Sequence, residues 1–293
     1  MINWRRCDLL AAPKVDITVH FRTAHKHVGT GWRMKDTSSF AKKKVVIFDL
    51  DGTLSESKSD LDNEMAKLIA GLLERRCVAV TSGCSFHQFQ TQFLGKLPAA
   101  ANRSNLFLFP TCSASGYYFD GKKGRFYRAY SNLMPKRAVK KILRSFEEVF
   151  ADIKYPRPKR TYGPVFEDRG SQLTFSALGQ EAPLELKRMW DPDQKKRLMI
   201  RRHLRQKLPN FEITIGGTTS IDVTRKGVNK TLCVRKLSQR LHVNKKEMLF
   251  VGDALFKGGN DYIMKSTRIQ CIPVSGPADT KELVTRIIQS NPD

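Results

Sequence analysis

The sequence predicts an α/β fold in which a parallel-sheet core carries an inserted α+β domain, and three features predict it. First, the apolar run Val45-Val-Ile-Phe-Asp-Leu-Asp-Gly-Thr-Leu54 stops at two carboxylates and a glycine, the pattern of a buried strand closed by a tight loop. Second, helical spacing and another apolar run follow, an alternation that makes parallel strands through right-handed crossovers. Third, from about residue 121 to 225 the composition shifts to basic helices between short strands, after which the strand and helix alternation resumes.

On a regular strand Asp49 and Asp51 would face opposite ways, so both serve one site only if the strand ends between them, and Gly52 permits that break. In open α/β sheets ligands gather at such carboxyl ends. Leu61, Met65, Leu68, Ile69, Leu72 and Leu73 then recur at helical spacing. Cys77-Val-Ala-Val-Thr-Ser-Gly reads as a second strand ending in hydroxyls, so that Ser82 or Thr81 would stand beside the aspartates, where a hydroxyl and loop amides hold a phosphate oxygen. Another helical pattern spans 85–94, a third strand 106–109 and a hairpin 117–127. The inserted stretch holds a basic helix over 136–150, the segment Tyr155-Pro-Arg-Pro-Lys-Arg, strands near 172–177 and 211–215, and a basic helix over 193–208. Lys226-Gly-Val-Asn-Lys-Thr-Leu leads into a helix, Met248-Leu-Phe-Val-Gly-Asp253 is a strand ending in an acid, and Gly258-Gly-Asn-Asp261 follows; a strand over 269–274 and a helix over 280–288 close the chain. The expected division is an N-terminal extension over 1–43, a core made of 44–120 and 226–293, and an insert over 121–225. The first 33 residues show no clear period and are expected to be disordered or an artefact of start-site choice.

At 293 residues with 40% apolar content, the chain is long enough for real cores, and no run approaches the roughly 18 apolar residues of a membrane span. Neither a span nor a membrane partner is expected. Residues 1–43 hold nine Lys/Arg against three Asp, a balance of +6 out of a formal +24, which leaves +18 for the rest of the chain. Such a field attracts phosphorylated metabolites or nucleic acid. The six cysteines show no metal-ligand spacing, and free thiols in a reducing cytoplasm are the simplest reading.

Asp49-Leu-Asp-Gly-Thr53, Thr81-Ser-Gly83, the Lys230 region, and Gly252-Asp253 with Asn260-Asp261 follow the order and spacing of the four motifs of haloacid dehalogenase superfamily phosphotransferases, which the chain resembles from about residue 44 onward. The resemblance implies a Rossmannoid parallel-sheet core, and the insert looks like the cap of subclass IIB, which includes sugar phosphatases and eukaryotic phosphomannomutases. It implies that Asp49 attacks phosphorus to form an aspartyl phosphate, and that Asp51 protonates the leaving oxygen and then activates water. It also implies Mg2+ held by Asp49, Asp253 and the backbone carbonyl of Asp51, with Asn260 and Asp261 orienting the site. Lys230 would offset the crowded negative charge, Ser82 would bond the transferring group, and Thr53 and Gly83 would complete the phosphate loops. Lys226 is the alternative lysine; Lys230 is preferred because it stands at the helix start, where the family's lysine falls.

In the cap, Arg169-Gly-Ser-Gln-Leu-Thr-Phe-Ser-Ala-Leu-Gly179 and Gly216-Gly-Thr-Thr-Ser-Ile-Asp222 resemble the phosphomannomutase cap, with Arg169, Ser220 and Asp222 on its sugar-phosphate positions. Three of that family's arginine positions carry other residues here: Gln180, Lys187 and Lys58. Arginine forks hold a bisphosphorylated intermediate by its far phosphate better than amide or ammonium groups do. The reading on sequence is therefore a Mg2+-dependent phosphomonoester hydrolase acting on a small phosphorylated substrate, with a phosphohexose mutase as the alternative. Nucleic-acid binding through Lys154-Tyr-Pro-Arg-Pro-Lys-Arg-Thr-Tyr162 ranks last, because no recognition motif accompanies it. A homodimer through the cap is a further expectation.

Overall fold

The structure, a computed structural model, describes residues 38–57 and 59–290, so the expectations for residues 1–33 and for Lys58 lie outside the described residues. In chain order come α1 (Ser38–Ala41), β1 (Val45–Asp49), α2 (Asn63–Leu73), β2 (Cys77–Thr81), α3 (Phe86–Gln88), β3 (Leu106–Phe109), β4 (Ser115–Asp120) and β5 (Arg125–Ser131). There follow α4 (Lys136–Asp152), β6 (Phe166–Asp168), β7 (Leu173–Ser176), α5 (Leu184–Trp190), α6 (Lys195–Lys207), β8 (Phe211–Gly216) and β9 (Ser220–Arg225). The chain closes with α7 (Thr231–Leu241), β10 (Met248–Gly252), β11 (Gln270–Pro273) and α8 (Pro277–Gln289).

The main sheet runs β11-β10-β1-β2-β3-β4-β5, parallel from β11 to β3 and antiparallel in the last two pairings. Every residue of β1 is buried, and alternation sends its side chains to two cores. Val46 and Phe48 pack with Met65, Ile69 and Leu72 of α2 and Val284 and Ile287 of α8. Val45 and Ile47 pack with Val234 and Leu237 of α7 and with Met264. A continuous apolar run is what a strand covered on both faces requires. Asp62 caps α2 by accepting from the Met65 amide at 2.8 Å.

Two expected boundaries move. Phe40 is 0% exposed in the core and Lys43 Nζ donates to the Lys246 carbonyl at 2.7 Å, so the folded body starts before residue 44. The second hairpin strand, β5, extends the main sheet rather than the insert, so the boundary drawn at 120 moves past Ser131. Its exposed Arg125 and Arg128 suit an edge strand, where charge discourages pairing with another chain.

The insert forms its own antiparallel sheet, β6-β7-β9-β8. Leu173, Phe175, Ile213, Ile221 and Val223 on one face pack against Ile142, Phe146 and Val149 of α4 and Ile200 and Leu204 of α6. Thr174, Ser176, Asp222 and Thr224 alternate with them and so turn to the opposite face, which is polar yet buried. The spacing of β6, β9 and α5 gave no expectation: β6 has three residues and α5 seven, too short for a period to register. Among the described residues no helix is long and apolar enough to cross a membrane. Phe146 is 0% exposed, with the rings of Phe166 and Phe175 at 5.1 and 5.3 Å. Phe146→Ala is expected to cost about 3–5 kcal/mol in equilibrium urea unfolding, and a cost below about 1 kcal/mol would show that this core does not centre on that ring.

Candidate functional site

Strand order makes β10, β1 and β2 neighbours, so the loops that leave their carboxyl ends converge. β1 stops at Asp49, and the backbone turns through Gly52, at φ +81° with its amide donating to the Ser55 carbonyl at 2.7 Å. This is the break the two aspartates need. A Cβ on Gly52 would lie 2.6 Å from Asp253 Oδ2, so the close approach of the two loops also requires glycine.

Asp49 is 2% exposed and Lys230, at the head of α7, is 3% exposed. Lys230 Nζ donates to Asp49 Oδ1 at 2.7 Å and to Asp261 Oδ1 at 2.6 Å. Asp261 Oδ2 accepts from the Ala254 amide at 3.2 Å, so both its oxygens are engaged. Thr53 Oγ1 accepts from the Asp253 amide at 3.0 Å and donates to Asp253 Oδ1 at 3.3 Å. Carboxylate oxygens of Asp49, Asp253 and Asp261 lie within 4.8 Å of one another, three hard donors grouped closely enough to hold a metal ion. Lys226, by contrast, is exposed, so Lys230 is the lysine of this cluster.

One ammonium serves three carboxylates, and the proton affinities reflect the shortfall. Burial, with Asp261 and Asp253 close by, pushes the Asp49 carboxyl well up against the pull of Lys230. Burial and the charge of Asp261 push Asp253 up to about 6. Burial alone would lower Lys230, but Asp261 and Asp49 outweigh it and hold the ammonium charged. A divalent cation would relieve this excess of negative charge.

Asp51 stands in an adjoining group. Ser82 Oγ and Cys84 Sγ donate to Asp51 Oδ2 at 3.4 and 2.9 Å, and the Cys84 amide donates to Ser82 Oγ at 3.2 Å. Thr81 Oγ1 is turned instead to Ser113 Oγ at 2.9 Å, so the structure selects Ser82 over Thr81 as the hydroxyl beside the aspartate. Sequence reasoning missed Cys84, because a thiol in a loop carries no period or ligand spacing. Burial, then the Asp51 charge, pushes that thiol well up. Asn260 Oδ1 is buried without a hydrogen-bond partner.

The insert meets the core at Gly83. Its carbonyl accepts from Arg169 Nη1 and, at 3.0 Å, from Gln172 Nε2. Gln172 Nε2 and Thr174 Oγ1 each donate to Asp222 Oδ1 at 2.8 Å, and Arg169 Nη2 donates to Glu167 Oε2 at 2.7 Å. A Cβ on Gly83 would fall 2.8 Å from Asp222 Oδ2. Of the expected cap residues, Arg169 and Asp222 therefore sit together over the Ser82 loop. Ser220, half-buried, heads β9 with Ser176 and Gly216 as its pairing partners. Lys187 Nζ donates to the Gln180 carbonyl at 2.8 Å, which joins two of the positions that depart from arginine. Gln172 and Thr174 had not been singled out; the signal was the polar alternation Gln172, Thr174, Ser176 beside Asp222 on a neighbouring strand.

A family model described as Eukaryotic phosphomannomutase matches residues 65–290, a span that begins after Asp49 and Asp51. The chain is 27% identical over 250 residues to Phosphomannomutase 2 of Dictyostelium discoideum, covering 82% of this chain and 94% of that one. It is 28% identical over 244 residues to the phosphomannomutase of Nicotiana benthamiana, covering 80% and 90%. Among solved structures, a truncated IMP-nucleotidase of Plasmodium falciparum superposes with TM-score 0.64 at 17% identity, over 87% of this chain and 74% of that one. A haloacid dehalogenase-like hydrolase from Bacteroides thetaiotaomicron superposes with TM-score 0.55 at 13% identity, over 84% and 99%. These two show the fold alone, which is haloacid dehalogenase-like.

Removing Lys230 would leave buried carboxylates unpaired. Lys230→Ala is expected to lower unfolding free energy by about 3–5 kcal/mol near neutral pH, against less than about 0.5 kcal/mol for exposed Lys226→Ala; equal losses in the two variants would refute the assignment.

Proposed function

The chain belongs to the eukaryotic phosphomannomutase family, and from that membership we propose that it is a Mg2+-dependent phosphoryl-transfer enzyme acting on phosphohexoses, with mutase transfer as the first reading. The observation that carries the chemistry is Lys230 bridging buried Asp49 and Asp261, with Asp253 beside them at the convergent strand ends.

In this reading Asp49 is the nucleophile. Its Oδ1 is fixed by Lys230, which also offsets charge as the anionic substrate approaches. Asp49, Asp253 and the Asp51 carbonyl would hold Mg2+, which would supply positive charge to offset the grouped carboxylates. Asp51, anchored through Oδ2 by Cys84 and Ser82, carries the proton to the leaving oxygen and takes one from the acceptor hydroxyl when the phosphoryl group leaves Asp49. The polar face of the insert, with Asp222, Thr174 and Gln172 hydrogen-bonded together, orients the sugar over the core. Free thiols at Cys84, Cys112, Cys233 and Cys271 fit a reducing compartment such as the cytoplasm.

Hydrolysis is the second reading, and Gln180 favours it. An amide stands where relatives would hold a far phosphate, and the nearby Lys187 ammonium already donates to the Gln180 carbonyl. A weakly held bisphosphate intermediate leaves the aspartyl phosphate open to water.

Phosphorus NMR with mannose 1-phosphate or glucose 1-phosphate and Mg2+, with and without a hexose bisphosphate, separates these readings. Conversion to the 6-phosphate is expected; release of inorganic phosphate would move the assignment to hydrolase. No turnover of either, with other phosphomonoesters cleaved, would remove the hexose and keep the chemistry. A second expectation concerns pH. The Asp253 carboxyl is raised from 3.8 to about 6 on folding, so its contribution to the stability of the metal-free protein is full below about 3.8 and is lost as pH rises through about 6. Metal binding must displace that proton and the one held by the raised Asp49 carboxyl, so Mg2+ affinity measured by calorimetry should weaken by about tenfold or more per pH unit below about 6, and a flat profile there would exclude Asp253 as a ligand.

A further inference from the structure

Where the insert meets the edge of the main sheet lies a cavity of about 270 Å3, near the lower end of the range of small-molecule sites. Its core side comes from the start of α3, the turn between β3 and β4, and strands β4 and β5; its insert side comes from β6 and the turn toward β7. Among its described lining residues are none of Asp49, Asp51, Ser82, Lys230 and Asp253. Gln180, Lys187, Ser220 and Asp222 of the insert stand away from it too. Arg169 joins the cavity to the contact over Gly83, whose carbonyl accepts from its Nη1.

The hydrogen-bonding polarity of the walls selects a ligand. Thr111 Oγ1 gives its only proton to the Pro110 carbonyl at 2.7 Å, so the hydroxyls of Ser115 and Ser171, at 3.0 and 3.1 Å, must donate to Thr111. Both serines are thereby left with lone pairs to offer. Glu167 and Asp168 add carboxylate oxygens to the same walls. Donors come from two arginines. The Arg169 side chain is 8% exposed and its Nε is buried with no hydrogen-bond partner, an unfavourable state until something accepts from it. Arg128 on β5 forms no ion pair and no side-chain hydrogen bond among the described residues.

Two guanidinium groups face two carboxylates, so the lining charge balances. A phosphate dianion has no proton to give and would meet the serine lone pairs and both carboxylates. A sugar hydroxyl donates and accepts at once, which is what this mixture of acceptors and free donors requires. The rings of Phe86 and Tyr117, half-buried and stacked at 3.7 Å, supply apolar surface for the C–H face of a pyranose.

We propose that this cavity is a binding site for an uncharged monosaccharide, separate from the catalytic centre, with Arg128 and Arg169 donating to its hydroxyls and Ser115, Ser171 and the two carboxylates accepting from them. A sugar seated there touches core and insert together, so its binding favours the arrangement in which Arg169 rests on the Gly83 carbonyl. The site stands on its own geometry and does not depend on the phosphoryl-transfer reading.

Saturation-transfer difference NMR and calorimetry of the full chain with D-mannose and D-glucose, with and without inorganic phosphate, test the proposal. Saturable sugar binding with a dissociation constant on the order of a millimolar is expected, unchanged by phosphate. Arg128→Ala, on an exposed edge position, should weaken it about tenfold through loss of a charged donor. Ser115→Val, which removes an acceptor and fills space, should abolish it, and circular dichroism should show both variants folded as the parent is. No sugar binding, sugar binding that phosphate displaces, or binding at parental strength in either folded variant would each overturn the proposal; failure of catalysis would not.

Discussion

One buried ammonium holds the centre together. Lys230 is 3% exposed and shares its charge between the buried Asp49 and Asp261, which would otherwise face each other and the half-buried Asp253. Removing solvent from two neighbouring carboxylates is tolerable only with compensation of this kind. The backbone of Lys230 is therefore tied down on several sides: its carbonyl accepts from Cys233 Sγ at 2.9 Å and from Ser113 Oγ at 3.3 Å, and Ser113 Oγ also meets Thr81 of β2. Ser113 closes a run of three left-handed residues, Thr111, Cys112 and Ser113, at φ 52°, 53° and 65°. Such conformations cost about 1–2 kcal/mol per residue without glycine. Hydrogen bonds from the Thr111 amide to the Cys84 carbonyl and from the Cys112 amide to the Ser82 carbonyl, both 2.8 Å, offset that strain. The same turn thus supports the lysine and the loop that carries Ser82 and Cys84.

The two sheets divide the work by the same device, alternation along a strand. In the core both faces of the parallel sheet are apolar, so its chemistry can appear only where strands end. In the insert one face is apolar and packs under α4 and α6, while the other is polar and closes over Gly83. Gly83 is the point where the two logics meet: the absence of a side chain lets Asp222 approach, and its carbonyl collects the donors Arg169 and Gln172.

Sequence showed most clearly what depends on long runs. The five parallel strands, the helices that cover them, and the acids at their ends follow from apolar stretches broken by Asp, Gly and Ser, which sets Asp49, Asp51 and Asp253 at one edge with Ser82 or Thr81 beside them, whereas Lys230 is marked by the family resemblance and not by a period. What it hid depends on contacts between distant segments. The membership of β5 in the main sheet follows from its pairing with β4; the contact of Cys84 with Asp51 follows from a loop crossing from β2; the Gln172, Thr174 and Asp222 network needs β7 laid beside β9. Asp261, expected in a supporting place, accepts from Lys230 Nζ through Oδ1 and from the Ala254 amide through Oδ2, and it also stands among the three carboxylates grouped closely enough to hold a metal ion.

The strong positive charge separates into two populations once residues have positions. Lys230 and Arg169 are buried where carboxylates and carbonyls engage them, and they serve the site directly. The cations of α4 and α6 lie beyond the apolar layer that separates the helices from the polar face of the insert, so their field must reach the catalytic edge across or around a domain. At physiological ionic strength exposed charges are screened over about 8 Å, which makes that reach ineffective. Steering of a small phosphorylated substrate, the simplest reading of net charge, therefore does not explain why these helices accept like-charge neighbours along their exposed faces.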